Sequence, residues 1–271
     1  MSLREEPLER RKPVSISPWP GSKDTGHCLL ERRNRMPDVD NQISSHEAEL
    51  TRIKTLFMTT ISHEFRTPLA TIMSSTELLE RYLDRLTPAR REECLAVIHM
   101  QVQHMKEILD DLSLLIAIDT GLIAFEPTTM SLRQVVQSVT SRMDWHGFDW
   151  RLTFQDDVDW ITADENLIRP VLRHLLSNAV SYSPQGSAIY LKICQVAHEL
   201  VLEVADNGVG IPQEDIDHIF DTFYRGRNVI HIGGTGLGLA IVQRCVKLHG
   251  GSMTFKSQVG DGTTFVVRLP V

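Results

Sequence analysis

The stretch Thr60-Ile-Ser-His-Glu-Phe-Arg-Thr-Pro-Leu69 sets an imidazole, a carboxylate and a proline close together on one segment. If it is helical, His63 lies about 200° from both Ile61 and Phe65, so a core beneath those two turns the ring outward. A free imidazole is largely neutral at pH 7 and can attack an electrophile such as a phosphoryl group. Glu64 could orient or deprotonate the ring, though only by swinging round, because adjacent helical residues diverge. Pro68 has no N–H for the carbonyl of Glu64, which loosens the helix within a turn of the histidine. Alone, the pair reads as a polar helix face with an ordinary exposed histidine, and the rest of the chain is what lifts the chemical reading. A zinc-protease H-E-x-x-H is excluded, since Thr67 stands where the second histidine would fall.

Four further stretches carry chemistry. In Arg173-His-Leu-Leu-Ser-Asn178-Ala-Val-Ser-Tyr182, a helical pattern buries Leu175, Leu176 and Ala179, and Asn178 offers a hard oxygen suited to magnesium bound with phosphates. Taken singly it reads as a helix-surface amide. Asp206-Asn-Gly-Val-Gly-Ile-Pro212 follows an apolar run; its carboxylate can accept from an exocyclic amine, and Gly208 and Gly210 allow close backbone approach to a flat ring. A plain turn is the alternative, and a calcium loop is excluded by the glycines. Ile219-Phe-Asp-Thr-Phe-Tyr-Arg-Gly226 comes next, then Gly233-Gly-Thr-Gly-Leu-Gly-Leu-Ala-Ile-Val242. Glycines opening a helix suit phosphate capture. The run matches neither the dinucleotide fingerprint nor the P-loop. Residues 213–233 suit a mobile lid.

These groups need elements to position them. Ile43, Leu50 and Phe57, then Ile61, Phe65, Leu69, Ile72, Leu79, Leu83 and Leu86, predict one long helix from about Asn41, broken at Thr87-Pro88. Leu95, Ile98, Val102, Met105, Leu109, Leu112 and Ile116 form the seam of a second helix. Two helices bury too little of such a seam, which predicts a homodimeric four-helix bundle. After Asp119-Thr-Gly121 the pattern becomes mixed. Strands are expected near 122–126, 151–155, 160–163, 187–196, 199–206, 251–258 and 262–269, and helices near 131–143, 165–182 and 236–249. The expected fold is multi-domain: an all-α helical hairpin at 41–120, then an α/β sandwich at 121–271. Residues 1–40, with five prolines and mixed charge, read as a flexible segment or the remnant of an upstream domain.

The 271 residues, 42% of them hydrophobic, suffice for such cores, and a net charge of -7 argues against nucleic-acid binding. The four scattered cysteines suit reduced thiols in the cytoplasm. No apolar run approaches the roughly 18 residues of a membrane helix.

In this order the motifs resemble the sensor histidine kinases of two-component signalling, over residues from about 45 to 271. Ser62 to Leu69 is similar to the family's H box, Asn178 to its N box, Asp206 to Gly210 to its G1 box, Phe220 to Tyr224 to its F box, and Gly234 to Gly238 to its G2 box. The resemblance implies His63 as phospho-acceptor and Glu64 as its acid or base. Thr67, with Glu64, would position water for dephosphorylating a partner. It further implies ATP and Mg2+ as cofactors, with Asn178 holding the metal and Asp206 reading the adenine amine. Gly234, Gly236 and Gly238 would frame the phosphates, and Tyr182, Gly208, Gly210 and Leu237 complete the nucleotide set. The implied partners are a second copy of the chain and the receiver domain of a response regulator. His174 stands where many relatives have a second asparagine and Ser181 where many have a lysine, and both bear on ATP affinity. Two alternatives stay open: a nucleotide-gated dimeric interaction module without turnover, and an ATPase of the chaperone or type II topoisomerase kind.

Overall fold

In the computed structural model, backbone is described for residues 38–155 and 158–271, and side chains from Thr59 onward within those spans. Expectations for residues 1–37 and for the side chains of Ile43, Leu50 and Phe57 lie outside the described residues. The chain divides into two units after Thr51, and the second, Arg52–Val271, carries every side chain described below.

Helix α1 spans Asp38–Tyr82 and runs unbroken through Pro68. Helix α2 spans Pro88–Asp119. Thr87 caps it, its hydroxyl accepting from the Arg90 N–H at 3.3 Å, and Pro88 fills the first turn, where a missing N–H costs nothing. At its far end Gly121, at φ 68°, lets the Gly121 N–H reach Ile118 and the Leu122 N–H reach Ala117. That closing turn corrects the strand expected at 122–126. Leu122 and Ile123 are spent on satisfying the last carbonyls of α2. The strand β1 forms after Pro127 instead, at Thr128–Ser131.

Helix α3 follows at Leu132–Thr140, then β2 at Asp149–Phe154 and β3 at Trp160–Ala163. Helix α4 occupies Glu165–Tyr182, β4 Ala188–Val196 and β5 Glu199–Asp206. Helix α5 is Gly238–Leu248, before β6 at Ser252–Gln258 and β7 at Gly262–Pro270. The main sheet has the order β2-β4-β5-β7-β6, parallel only between β2 and β4. A two-stranded β1–β3 ribbon stands apart.

Alternation along the strands sends Ile189, Leu191 and Ile193 of β4, Leu200, Leu202 and Val204 of β5, and Phe265, Val267 and Leu269 of β7 to one side. Against that face lie α4, through Leu167, Ile168, Val171, Leu172, Leu175 and Leu176, and α5, through Ile241, Val242 and Cys245. The result is one sheet covered by helices. The same apolar cluster takes in Ile108, Leu112 and Leu115 of α2, so the hairpin packs onto the sandwich. Among the described residues no helix is long and apolar enough to cross a membrane.

Candidate functional site

A cavity of about 630 Å³ opens where the hairpin meets the sandwich. His63, Glu64, Thr67 and Pro68 of α1 line it on one side, with Gln101, His104, Glu107 and Asp111 of α2 beside them. Asn178, Tyr182, Asp206, Gly210, Gly234, Gly236 and Gly238 border it from the sandwich. Residues far apart in sequence thus share one chamber.

The His63 side chain is 75% exposed, while Ile61 and Phe65 are half-buried against the core. Its Nδ1 lies 3.7 Å from Oε1 of Glu64, whose side chain is only 12% exposed. The carboxylate has swung toward its sequence neighbour, leaving Nε2 as the nitrogen available for attack. Thr67 sits one turn on, its hydroxyl turned back to the His63 carbonyl at 3.5 Å.

Asp206 ends β5. Its Oδ1 accepts from the backbone N–H groups of Gly208 at 2.8 Å and Thr263 at 3.2 Å, while Oδ2 has no partner among the described residues. Burial pushes this carboxyl up from its ordinary value, against the lowering effect of the two amides. One oxygen is therefore anchored and the other is left for a ligand. Burial likewise pushes the Tyr182 phenol up.

The turn after Asp206 is fixed by protein backbone. A Cβ on Gly210, at φ 68°, would stand 2.1 Å from the Gln258 carbonyl oxygen, and one on Gly208 would stand 2.5 Å from that of Tyr182. These glycines are needed first for closeness to their own chain, whatever approaches from the cavity. Gly210→Ala is expected to lower unfolding free energy by about 3 kcal/mol or more, since left-handed strain and a backbone clash add. Urea titration followed by circular dichroism checks it.

The segment between Pro212 and Gly236 is tied down at several points. Asp215, fully buried, accepts from the Tyr224 hydroxyl at 2.7 Å and the Arg227 N–H at 3.0 Å. The Asn228 amide donates to the Gly210 carbonyl at 2.9 Å. Arg225 donates to the carbonyls of Val229, Ile230 and Ile232. Gly236, at φ 71°, comes so close to Phe223 that a Cβ would lie 2.7 Å from that residue's backbone.

Two residues expected in the nucleotide set do not border the cavity. Leu237 has no exposed surface and belongs to the core cluster, because the start of α5 turns its side chain into the sandwich. Gly208 is buried beneath Tyr182 and Asp206. Conversely, sequence patterns missed the α2 wall. Those polar residues lie on the face opposite the exposed part of the apolar seam, and their three-to-four spacing was the only available signal.

The most connected of them is Asp111. It pairs with the Arg173 guanidinium, and its Oδ1 lies 3.1 Å from Nε2 of His174. Burial would raise this carboxyl, but the His174 hydrogen bond and the neighbouring positive charge outweigh it and hold it below the usual range. Burial pushes His174 down, which keeps the ring neutral with its Nε2–H donated to Asp111. The unfolded ring then takes up a proton near its ordinary pKa that the folded ring resists. Unfolding free energy should accordingly fall as pH drops below about 6.5, by up to about 1.4 kcal/mol per pH unit. Asp111 adds its own loss only lower, in the carboxylate range. Urea titrations across this window should show the upper part of the slope vanish in His174→Asn.

A divalent cation is implied by the resemblance. Among the described residues no cluster of three or more His, Cys, Asp or Glu could hold one. The donor set fits a hard ion held by the Asn178 amide together with nucleotide phosphates and water.

Comparison with known proteins agrees with this geometry. Residues 53–121 match the "His Kinase A (phospho-acceptor) domain", and residues 163–271 match the "Histidine kinase-, DNA gyrase B-, and HSP90-like ATPase" family. The circadian input-output histidine kinase CikA of Synechococcus elongatus is 32% identical over 222 residues, covering 79% of this chain and 29% of that protein. The sensor histidine kinase WalK of Bacillus subtilis is 32% identical over 222 residues, covering 79% and 36%. The chain thus spans about a third of the length of these curated relatives. The solved structure of the Acinetobacter baumannii histidine kinase AdeS shares the fold, with a TM-score of 0.56 at 23% identity over 77% of this chain and 97% of that one. With a phospho-acceptor hairpin followed by an ATPase-type sandwich on one polypeptide, the chain belongs to the sensor histidine kinases of two-component systems.

Proposed function

We propose that the chain is an ATP-dependent protein-histidine kinase that phosphorylates His63 and passes the phosphoryl group to an aspartate of a response-regulator receiver domain. The observation that carries this reading is the shared cavity, in which His63 faces the same space as Asn178, Asp206 and the glycines before α5. The Nε2 lone pair attacks the γ-phosphorus of ATP, the bond to the β–γ bridging oxygen breaks, and ADP leaves with that electron pair. Glu64, beside Nδ1, accepts the Nδ1 proton as the N–P bond forms, so that the phosphorylated ring is left neutral. Oδ2 of Asp206 accepts from the adenine amine, and the N–H groups opening α5 face the phosphates. Asn178 would supply an oxygen ligand to Mg2+, which when bound would neutralise phosphate charge. Glu64 and Thr67 border the space in which water would be placed to dephosphorylate the regulator.

The hairpin, taken as 41–120, leaves Leu95, Val102, Leu109 and Ile116 about half exposed at seven-residue spacing along α2. A stripe of that period suits a second copy of the hairpin, giving a homodimeric four-helix bundle below a nucleotide domain at 121–271. The absence of a membrane-crossing helix among the described residues is compatible with work in the cytoplasm. Incubation with radiolabelled ATP and Mg2+ tests the activity. The label should be acid-labile and alkali-stable, as a phosphoimidazole is, and an acid-stable label would count against it.

A further inference from the structure

We infer that Asp111 of α2, gripped by Arg173 and His174 of α4, latches each nucleotide domain onto its own hairpin, so that His63 is phosphorylated in cis by the ATP of the same chain. This rests on the kinase reading above and adds which of two histidines in a dimer is the acceptor.

The latch bridges two parts of one chain that lie more than sixty residues apart. Asp111 and His174 are both buried, at 6% and 7% exposure, so the pair is shielded from competing water. A second bridge lies eight residues along α2, where Nε of Arg244 on α5 donates to Oδ1 of Asp119 at 2.6 Å. Between the two, Leu112 and Leu115 are buried in the same core as α4 and α5, and Ile108 joins them from one turn before Asp111. Delivering the nucleotide to a partner's histidine would expose those side chains and strand a buried carboxylate without the Arg173 cation and the His174 N–H that hold it.

The latch also reaches the phosphate end of the site. His174 lies one helical turn before Asn178, and its Nδ1 is so close to Gly238 that a Cβ there would stand at 3.0 Å. Holding the ring through Nε2 therefore fixes the distance from α2 to the first residue of α5. A shorter amide in place of His174 would span less of that gap. This gives the histidine a positioning role toward the α1–α2 hairpin that bears His63.

The test uses heterodimers isolated through two affinity tags, pairing a His63→Ala chain, which keeps its nucleotide site, with an Asn178→Ala chain, which keeps its histidine. Transfer in cis predicts no more label on the Asn178→Ala chain than in the Asn178→Ala homodimer. A tenfold or greater rise there would overturn the proposal. In homodimers, Asp111→Ala should lower labelling at least tenfold while ATP affinity by calorimetry stays within threefold, and Asp111→Asn, which still accepts from His174, should recover most of it. Undiminished labelling of Asp111→Ala would also overturn it. A wild-type homodimer that takes no label would instead defeat the kinase reading itself.

Discussion

His63→Gln should take up no label from ATP, a loss of at least about a thousandfold, while ATP affinity stays within about twofold. The asymmetry follows from where the ring lies. Its side chain is 75% exposed and its ring lies beside Glu64, so glutamine can occupy the position without opening a cavity or leaving a buried ring nitrogen unpaired. The amide of glutamine has no lone pair able to displace ADP from phosphorus at a useful rate. Helix α1 should be unaffected, since glutamine is a good helix former. Titration calorimetry with ATP beside a filter-binding label assay separates the two effects. A retained label would move the acceptor elsewhere, and lost ATP binding would make His63 a structural residue.

The second large effect is expected at Asn178. Asn178→Ala should reduce labelling by at least about a hundredfold, through loss of an oxygen ligand to the nucleotide-bound cation. Asn178 is half-buried on the cavity face of α4, whereas its neighbour Ala179 is fully in the core. The helix therefore presents the amide outward, and alanine removes it at little structural cost, with stability changing by about 0.5 kcal/mol or less. Affinity for ATP should fall more in the presence of Mg2+ than in its absence. Equal losses with and without the metal would place Asn178 on the nucleotide and not on the ion.

Particular residues show why parts of this molecule were readable in advance. Helix α4 runs over the expected 165–182 because Asp164 caps it, its side chain accepting from the Asn166 N–H, and a continuous apolar face follows. The Thr87-Pro88 break is equally local. The strand at 122–126 failed because Leu122 and Ile123 look alike whether they pair in a sheet or close a helix. Only the glycine at 121 tips the balance, and it does so through backbone geometry.

In the site, the boundary lies between type and placement. Histidine, asparagine, aspartate and glycine could be named for their chemistry, and most of them meet in one cavity. Leu237 could not be separated from its glycine neighbours by sequence, because only the packed α5 shows that its side chain points into the core. The wall formed by Gln101, His104, Glu107 and Asp111 depended on the docking of hairpin and sandwich, a long-range event with no local signature.

The resting place of the phosphoryl group decides the chemistry. After incubation with Mg-ATP, digestion at alkaline pH and mass spectrometry of the peptides should place it on the imidazole of His63 and on no hydroxyl side chain. A phosphoryl group found on serine, threonine or another histidine, with His63 unmodified, would contradict it.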